Sequence, residues 1–153
     1  MPIVLDEQRL GALQEVLPAL VAFKQAFGRE ASMDFIAELH VAQALDLTLP
    51  DGGCQPGCDA VDSSGKRYQI KCRQPGTQNI DLNNFAFDVL VLVNLDESYG
   101  VSGMWRIAVD ELKPLCTRRE KFRKDQVRQA VLKSAATKVE MFASRPRRWG
   151  VAD

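Results

Sequence analysis

The sequence has no apolar run near the ~20 residues that span a bilayer. Its opening, MPIVLDEQRL, has no basic stretch leading into an apolar core. Neither a membrane-spanning protein nor a secretory signal is expected, and cytoplasmic is the default location. Cysteine is scarce: Cys54, Cys58, Cys72 and Cys116 are too few and too irregularly spaced for a disulfide framework. Histidine is scarcer, with His40 alone. Cys54 and Cys58, completed by Cys72 or His40, offer a zinc site, but no second ligand pair at zinc spacing exists, so reduced thiols are the expectation. Net charge is absent, with 20 basic and 20 acidic residues among 153. No repeat, low-complexity tract or linker divides the chain, and its length suits one domain over 1–153.

What the sequence does have is charge asymmetry. Residues 1–116 carry 9 basic and 16 acidic side chains, a net −7; residues 117–148 carry 11 and 3, a net +8. A basic C-terminal quarter on an acidic body suits contact with a polyanion, and equally a solvated helix face.

Leu10, Leu13, Leu17, Leu20 and Val21 recur at helical spacing within about 6–27, with Pro18 expected to kink or divide the helix and Gly28 to end it. Ser32 is placed to cap a second helix over 33–45, with Phe35, Ile36, Leu39, Ala42 and Leu45 on one stripe. Residues 50–57, PDGGCQPG, read as a loop. The period then changes to two. Cys58–Asp62 and Lys66–Arg73 read as strands joined by Ser63-Ser64-Gly65, a connection suited to a type I turn ending in a left-handed residue. The stretch 75–84 is polar and irregular, with room for a short helical turn. FDVLVLVNL, residues 87–95, reads as a central strand buried on both faces, with Gly103–Val109 as its hairpin partner. Asp110 is expected to cap a short helix ending near Cys116. A long basic helix is predicted over about 119–143, carrying Phe122, Val127, Val131 and Ala135, followed by the tail RPRRWG. Helices at about 6–45, a core sheet at about 58–109 and a basic helix and tail at about 117–149 predict an α/β (α+β) fold. Its mixed sheet would have four to five strands flanked by helices.

The segment richest in chemistry is GCDAVDSSGKRYQIKCR, residues 57–73. Strand alternation puts Gln69, Lys71 and Arg73 on one face and Tyr68, Ile70 and Cys72 on the other. A three-residue loop pairs Asp62 with Lys66 and sets Asp59 opposite Gln69; a two-residue loop would turn Asp59 away. The turn chemistry favours the first. A carboxylate beside an amide oxygen and a lysine supplies the hard donors that Mg²⁺ prefers, and a cation that orients water and stabilises a phosphoryl transition state. A solvated surface hairpin would look similar. Asp62 belongs to the turn, and His40, two residues from Glu38, points elsewhere on its helix.

The pattern resembles the PD-(D/E)xK nuclease superfamily, the restriction-endonuclease-like fold, over roughly residues 32–112. Asp59 matches its first acid, Gln69-Ile70-Lys71 its (Asp/Glu)-x-Lys element, and Glu38 its helix-borne glutamate. FDVLVLVNLDE and GMWRIAVDEL are similar to its later core strands. Cys58 stands in place of the proline, and Gln69 in place of the acid, as in similar Mrr-type enzymes that carry Gln-x-Lys.

The resemblance implies a Mg²⁺-dependent endonuclease, with Mn²⁺ as a substitute, that hydrolyses DNA phosphodiesters through a metal-activated water. Asp59, Glu38, the Gln69 amide oxygen and the Ile70 carbonyl would bind metal, and Lys71 would position the nucleophile. Arg73 is a candidate for the scissile phosphate. Arg118, Arg119, Lys121, Arg123, Lys124, Arg145, Arg147 and Arg148 are candidates for other phosphates. Loops 50–57 and 74–86 are expected to shape access. Cutting both strands needs two active sites, which implies a homodimer. The rival class is a nuclease-like fold that binds nucleic acid or a protein without cutting.

Overall fold

The computed structural model describes residues 3, 5–50, 57–76 and 78–141. Helix α1 (Glu7–Phe27) is capped by Asp6 and ended by Gly28 at φ 68°. It runs undivided through Pro18, where a kink or a division was the expectation. Helix α2 (Met33–Leu45) starts at Ser32, whose hydroxyl accepts from the Phe35 N–H at 3.1 Å. Its buried residues are Phe35, Ala37 and Val41. The expected stripe is therefore rotated, and Ile36, Leu39, Ala42 and Leu45 are only half-buried.

Strands β1 (Ala60–Val61), β2 (Arg67–Arg73), β3 (Asn79–Leu82), β4 (Val89–Leu95) and β5 (Val101–Ala108) follow. Helix α3 (Val109–Leu112) continues into a 3₁₀ turn at Lys113–Leu115; then come β6 (Thr117–Arg119), β7 (Lys124–Arg128), α4 (Gln129–Ala135) and β8 (Thr137–Lys138). Five strands form a mixed sheet in the order β1-β2-β4-β5-β8, parallel between β2 and β4 and antiparallel elsewhere. This is the mixed α/β architecture expected, a sheet flanked by helices.

Strand β4 explains the layering. Val91, Val93 and Leu95 point to one face, where they pack with Ala37 and Val41 of α2, Ala60, Ile70 and Met104. Leu90 and Leu92 point to the other, packing with Ile80, Leu82, Ile107, Leu112, Val127 and Leu132. A strand buried on both faces must be apolar at every position, which is why this run was legible as central.

Two expectations fail together. Residues 75–84 are not merely irregular, because β3 lies within them. The predicted helix over about 119–143 is instead a β6–β7 hairpin, then α4 and β8. A second antiparallel sheet, β3-β7-β6, pairs Ile80 with Val127 and Leu82 with Asp125. Its Ile80, Leu82 and Val127 enter the core while Asn79, Asp81 and Gln126 face out. The five-residue gap from Phe122 to Val127 breaks a helical stripe, and pairing with β3 overrides residual helix preference. Nor does Asp110 cap α3: the N-cap is Ala108, which makes no side-chain cap bond, and Asp110 lies in the first turn.

Candidate active site

The pairs Ala60↔Tyr68 and Val61↔Arg67 fix the β1–β2 register, and one step further sets Asp59 beside Gln69. The turn enforces it. The Gly65 N–H donates to the Asp62 carbonyl at 3.0 Å, with Gly65 at φ 81°, a left-handed conformation that glycine adopts without strain. Asp62 Oδ1 accepts from the Ser64 N–H, the Ser64 hydroxyl and the Lys66 N–H. This carboxylate is committed to the turn, and those bonds hold its pKa below the ordinary range.

Asp59 Oδ2 accepts two hydrogen bonds, from Gln69 Nε2 at 2.5 Å and the Ile70 N–H at 2.7 Å. The same alternation that faces Gln69 toward Asp59 faces Lys71 that way. Burial raises the Asp59 pKa, opposed by the Ile70 N–H and the Lys71 charge. Burial lowers the Lys71 pKa, Arg73 lowers it further, and Asp59 opposes them. The carboxylate and the ammonium thus sense one another within a half-buried site. Within a strand, a residue's N–H and C=O point to the same edge. The Ile70 carbonyl therefore lies on Asp59's edge, beyond the last β1 pairing.

Glu38 reaches this centre from α2. Its side chain is 12% exposed, and Oε2 accepts from Arg29 Nη1 at 2.9 Å. Burial raises its pKa, the Arg29 hydrogen bond lowers it, and repulsion from Asp59 raises it. Arg29 is itself braced, its guanidinium carbon 3.9 Å from the centroid of the Phe35 ring. Asp34, one helical turn before Glu38, acts electrostatically on Glu38, Asp59 and Lys71. Sequence reasoning missed Arg29 and Asp34. The four-residue spacing of Asp34 and Glu38 on one helix face was a usable signal; the Arg29 contact across a helix-helix turn left none.

Asp34 also lines a cleft of about 670 Å³ with Cys72, Arg73, Gln78, Asp81 and Gln126. Gln74, Gln78, Asn79 and Asp81 of segment 74–86 line it, while residues 51–56 of the other expected access loop lie outside the described residues. Arg73 is partly tied down, donating to the Asn79 carbonyl at 3.1 Å and the Cys72 carbonyl at 2.7 Å. Beneath it, buried Asn94 and Gln129 donate to the carbonyls of Arg73 and Gln74, fixing the end of the strand that carries Lys71.

The remaining candidates lie apart from this centre. Arg118, Arg119, Lys121, Arg123 and Lys124 occupy the β6–β7 hairpin rather than a helix. Arg118 is engaged by Asp125 at 3.0 Å and Glu120 at 3.4 Å. Arg145, Arg147 and Arg148 lie outside the described residues, as does Cys54 of the alternative zinc pair. Its partner Cys58 is buried, and the thiol donates to the Ala60 carbonyl. His40 Nε2 meets the Tyr99 carbonyl at 2.8 Å.

Among the described residues no three His, Cys, Asp or Glu side chains are grouped to hold a metal. The donor set at the centre is of another kind: two carboxylates, an amide and a strand-edge carbonyl. Mg²⁺ tolerates so sparse a set because it keeps several waters. Two carboxylates raised by burial, with Asp59 adding to the rise at Glu38 and Asp34 to that at Asp59, are groups whose charge a divalent cation would relieve. The donor types suit such an ion, while Arg29 and the Gln69 NH₂ hold the two carboxylates here.

The chain matches no protein-family model and no curated protein. Among the described residues no helix is long and apolar enough to cross a membrane.

Proposed function

We propose that this chain is a Mg²⁺-dependent DNA endonuclease of the PD-(D/E)xK type, in its Gln-x-Lys form. The observation that carries this reading is the placement of Asp59 and Lys71 on one side of the β1–β2 hairpin, each sensing the other's charge. A hairpin serving stability alone has no need of a half-buried lysine beside a half-buried carboxylate.

Asp59 and Glu38 would hold the ion, Mg²⁺ or Mn²⁺, with the Ile70 carbonyl and the Gln69 amide oxygen as neutral donors. The bound ion would acidify water and neutralise developing phosphoryl charge. Lys71 aligns the attacking water and stabilises negative charge on the reacting phosphate. Arg73, with guanidinium hydrogens to spare, would contact the scissile phosphate. The hairpin cations, with Arg145, Arg147 and Arg148, would take phosphates further along. The reading includes a cytoplasmic site of action and two copies working together for a double-strand cut.

A second reading is a DNA-binding protein that does not cut. It is favoured by the Arg29–Glu38 pair and by the Gln69 NH₂ group on Asp59, since each occupies a would-be metal ligand. Plasmid nicking in Mg²⁺ or Mn²⁺ separates the two. Asp59→Ala and Lys71→Ala should each lower cleavage about 100-fold or more with folding intact. A wild type that nicks no DNA form would leave the non-cutting reading in possession.

A further inference from the structure

The β6–β7 hairpin has an architecture that the hydrolytic centre does not use. Its strands pair Arg118 with Asp125 and Arg119 with Lys124, and residues 120–123 form its tip. The tip is a 3₁₀ turn, Glu120–Phe122, closed by Arg123 in the left-handed region at φ 52°. Phe122 stands there 57% exposed, with Lys121 Nζ 5.7 Å from its ring centroid. An exposed ring alone is unremarkable; its surroundings are informative.

Arg119 and Lys124 face one another across the strands, and like charges in that position repel. The neighbouring Arg118 is neutralised by Asp125 and Glu120, whereas Arg119, Lys121, Arg123 and Lys124 form no ion pair among the described residues. The hairpin thus gathers four cations around one aromatic ring. It also borders the cleft that Asp34 and Arg73 line. A smaller hollow of about 230 Å³ is lined by Arg119, Phe122, Lys124, Asp81 and Gln126. Asp81 and Gln126 line the larger cleft as well, beside Arg73, which is two residues from Lys71. The polar outer face of the three-stranded sheet, through Asp81 and Gln126, therefore joins the cleft beside Arg73 to the hollow at Phe122.

A strand of DNA along that face would lay its phosphates on Arg119 and Lys124. Phe122 could then meet only a base that has left its stack, because a paired base inside a duplex presents no π-face to a side chain. Stacking of that kind tolerates any base. We infer that the β6–β7 hairpin is a recognition tip for DNA containing an unstacked base, with Phe122 as the stacking platform. This rests on the DNA-binding part of the proposed function and narrows its substrate to single-stranded, bulged or branched DNA.

The test is fluorescence anisotropy in Ca²⁺, without cleavage, on a labelled single strand, an intact duplex and a duplex with one bulged 2-aminopurine. The expected result is tighter binding of the first and third than of the duplex. Phe122→Ala should erase that preference, weakening both about tenfold, while Phe122→Trp preserves it. The 2-aminopurine emission should be quenched by wild type and not by Phe122→Ala. Equal affinity of wild type and Phe122→Ala for all three DNAs overturns the tip's role, as does a wild type with no preference or no binding. Since Phe122 lies outside the hydrolytic centre, the two proposals fail separately. Nicking that survives alongside an indifferent Phe122→Ala removes the tip alone. A Phe122-dependent preference in a protein that never nicks removes the nuclease alone.

Discussion

Gln69 Nε2 donates to Asp59 Oδ2 at 2.5 Å across the β1–β2 hairpin, in the place where the resembled family carries a second acid. The amide quiets the carboxylate and lets the hairpin close without an ion. Gln69→Glu would replace that hydrogen bond with carboxylate repulsion in a half-buried site. Without metal the variant should melt below wild type, and more so as pH rises and both acids ionise. With Mg²⁺ it should gain more stability than wild type does, because an added anionic ligand tightens binding and ligand binding stabilises by mass action. Differential scanning fluorimetry across a Mg²⁺ titration decides. An unchanged response to Mg²⁺ would mean that position 69 does not face an ion.

Arg29 holds Glu38 at 2.9 Å and rests on Phe35, so it competes with any cation for that carboxylate. Arg29→Met keeps much of the apolar contact with Phe35 and removes the charge. The expected outcome is half-maximal nicking at several-fold lower Mg²⁺, measured at mildly alkaline pH so that Glu38 stays ionised. If half-saturation instead rises, Arg29 acts on the substrate phosphate and not as Glu38's competitor.

How much of this was legible depended on the range of the interactions. The Asp59–Gln69 facing was readable because Ser63-Ser64-Gly65 sets the register locally. Strand β4 was readable because burial on both faces leaves an unbroken apolar run. Strands β3 and β7 were not, since each contributes only one or two buried side chains and is defined by pairing with the other, as in Ile80↔Val127. The same blindness turned a basic hairpin into a basic helix. Arg29 was invisible because nothing in its own neighbourhood in sequence marks it as Glu38's partner.

Burial raises the Asp59 and Glu38 pKa values and lowers that of Lys71, and the signs give a pH dependence. Through the window between the ordinary carboxylate range and the raised values, folded Asp59 and Glu38 keep protons that the unfolded chain has released. Their stabilising contribution is complete below that range and lost as pH rises through the raised values. Lys71 is the opposite case: it favours folding only as pH rises from its lowered value toward 10.5, its ordinary one. Near neutral pH all three charged groups weigh against the metal-free fold. Asp59→Asn should therefore raise its melting temperature by on the order of a few degrees at neutral pH, with the gain vanishing in acid. A variant less stable than wild type at neutral pH would show that the hydrogen bonds to Asp59 outweigh its desolvation.

Helix α1 is about 30 Å long, yet none of its residues is buried. Among the described residues it meets the body through an aromatic cluster at one end, Phe23 and Phe27 against Phe35 at 5.7 and 5.9 Å. Leu10, Leu13, Leu17 and Leu20 are exposed along it at three- and four-residue intervals. A helix so little supported by its own chain is marginal in water, and such a stripe is the seam along which two helices pack. An antiparallel pair from two copies would bury both stripes and bring Glu7 of each toward the Lys24 end of the other. Such a pair would be the homodimer proposed for a double-strand cut. Leu13→Glu with Leu17→Glu should convert a dimer to a monomer in sedimentation velocity. The monomer should still nick, with linear product falling relative to nicked circles, because the proposed centre draws all its residues from one chain. A wild type that sediments as a monomer at micromolar concentration would assign this face to something other than a second copy.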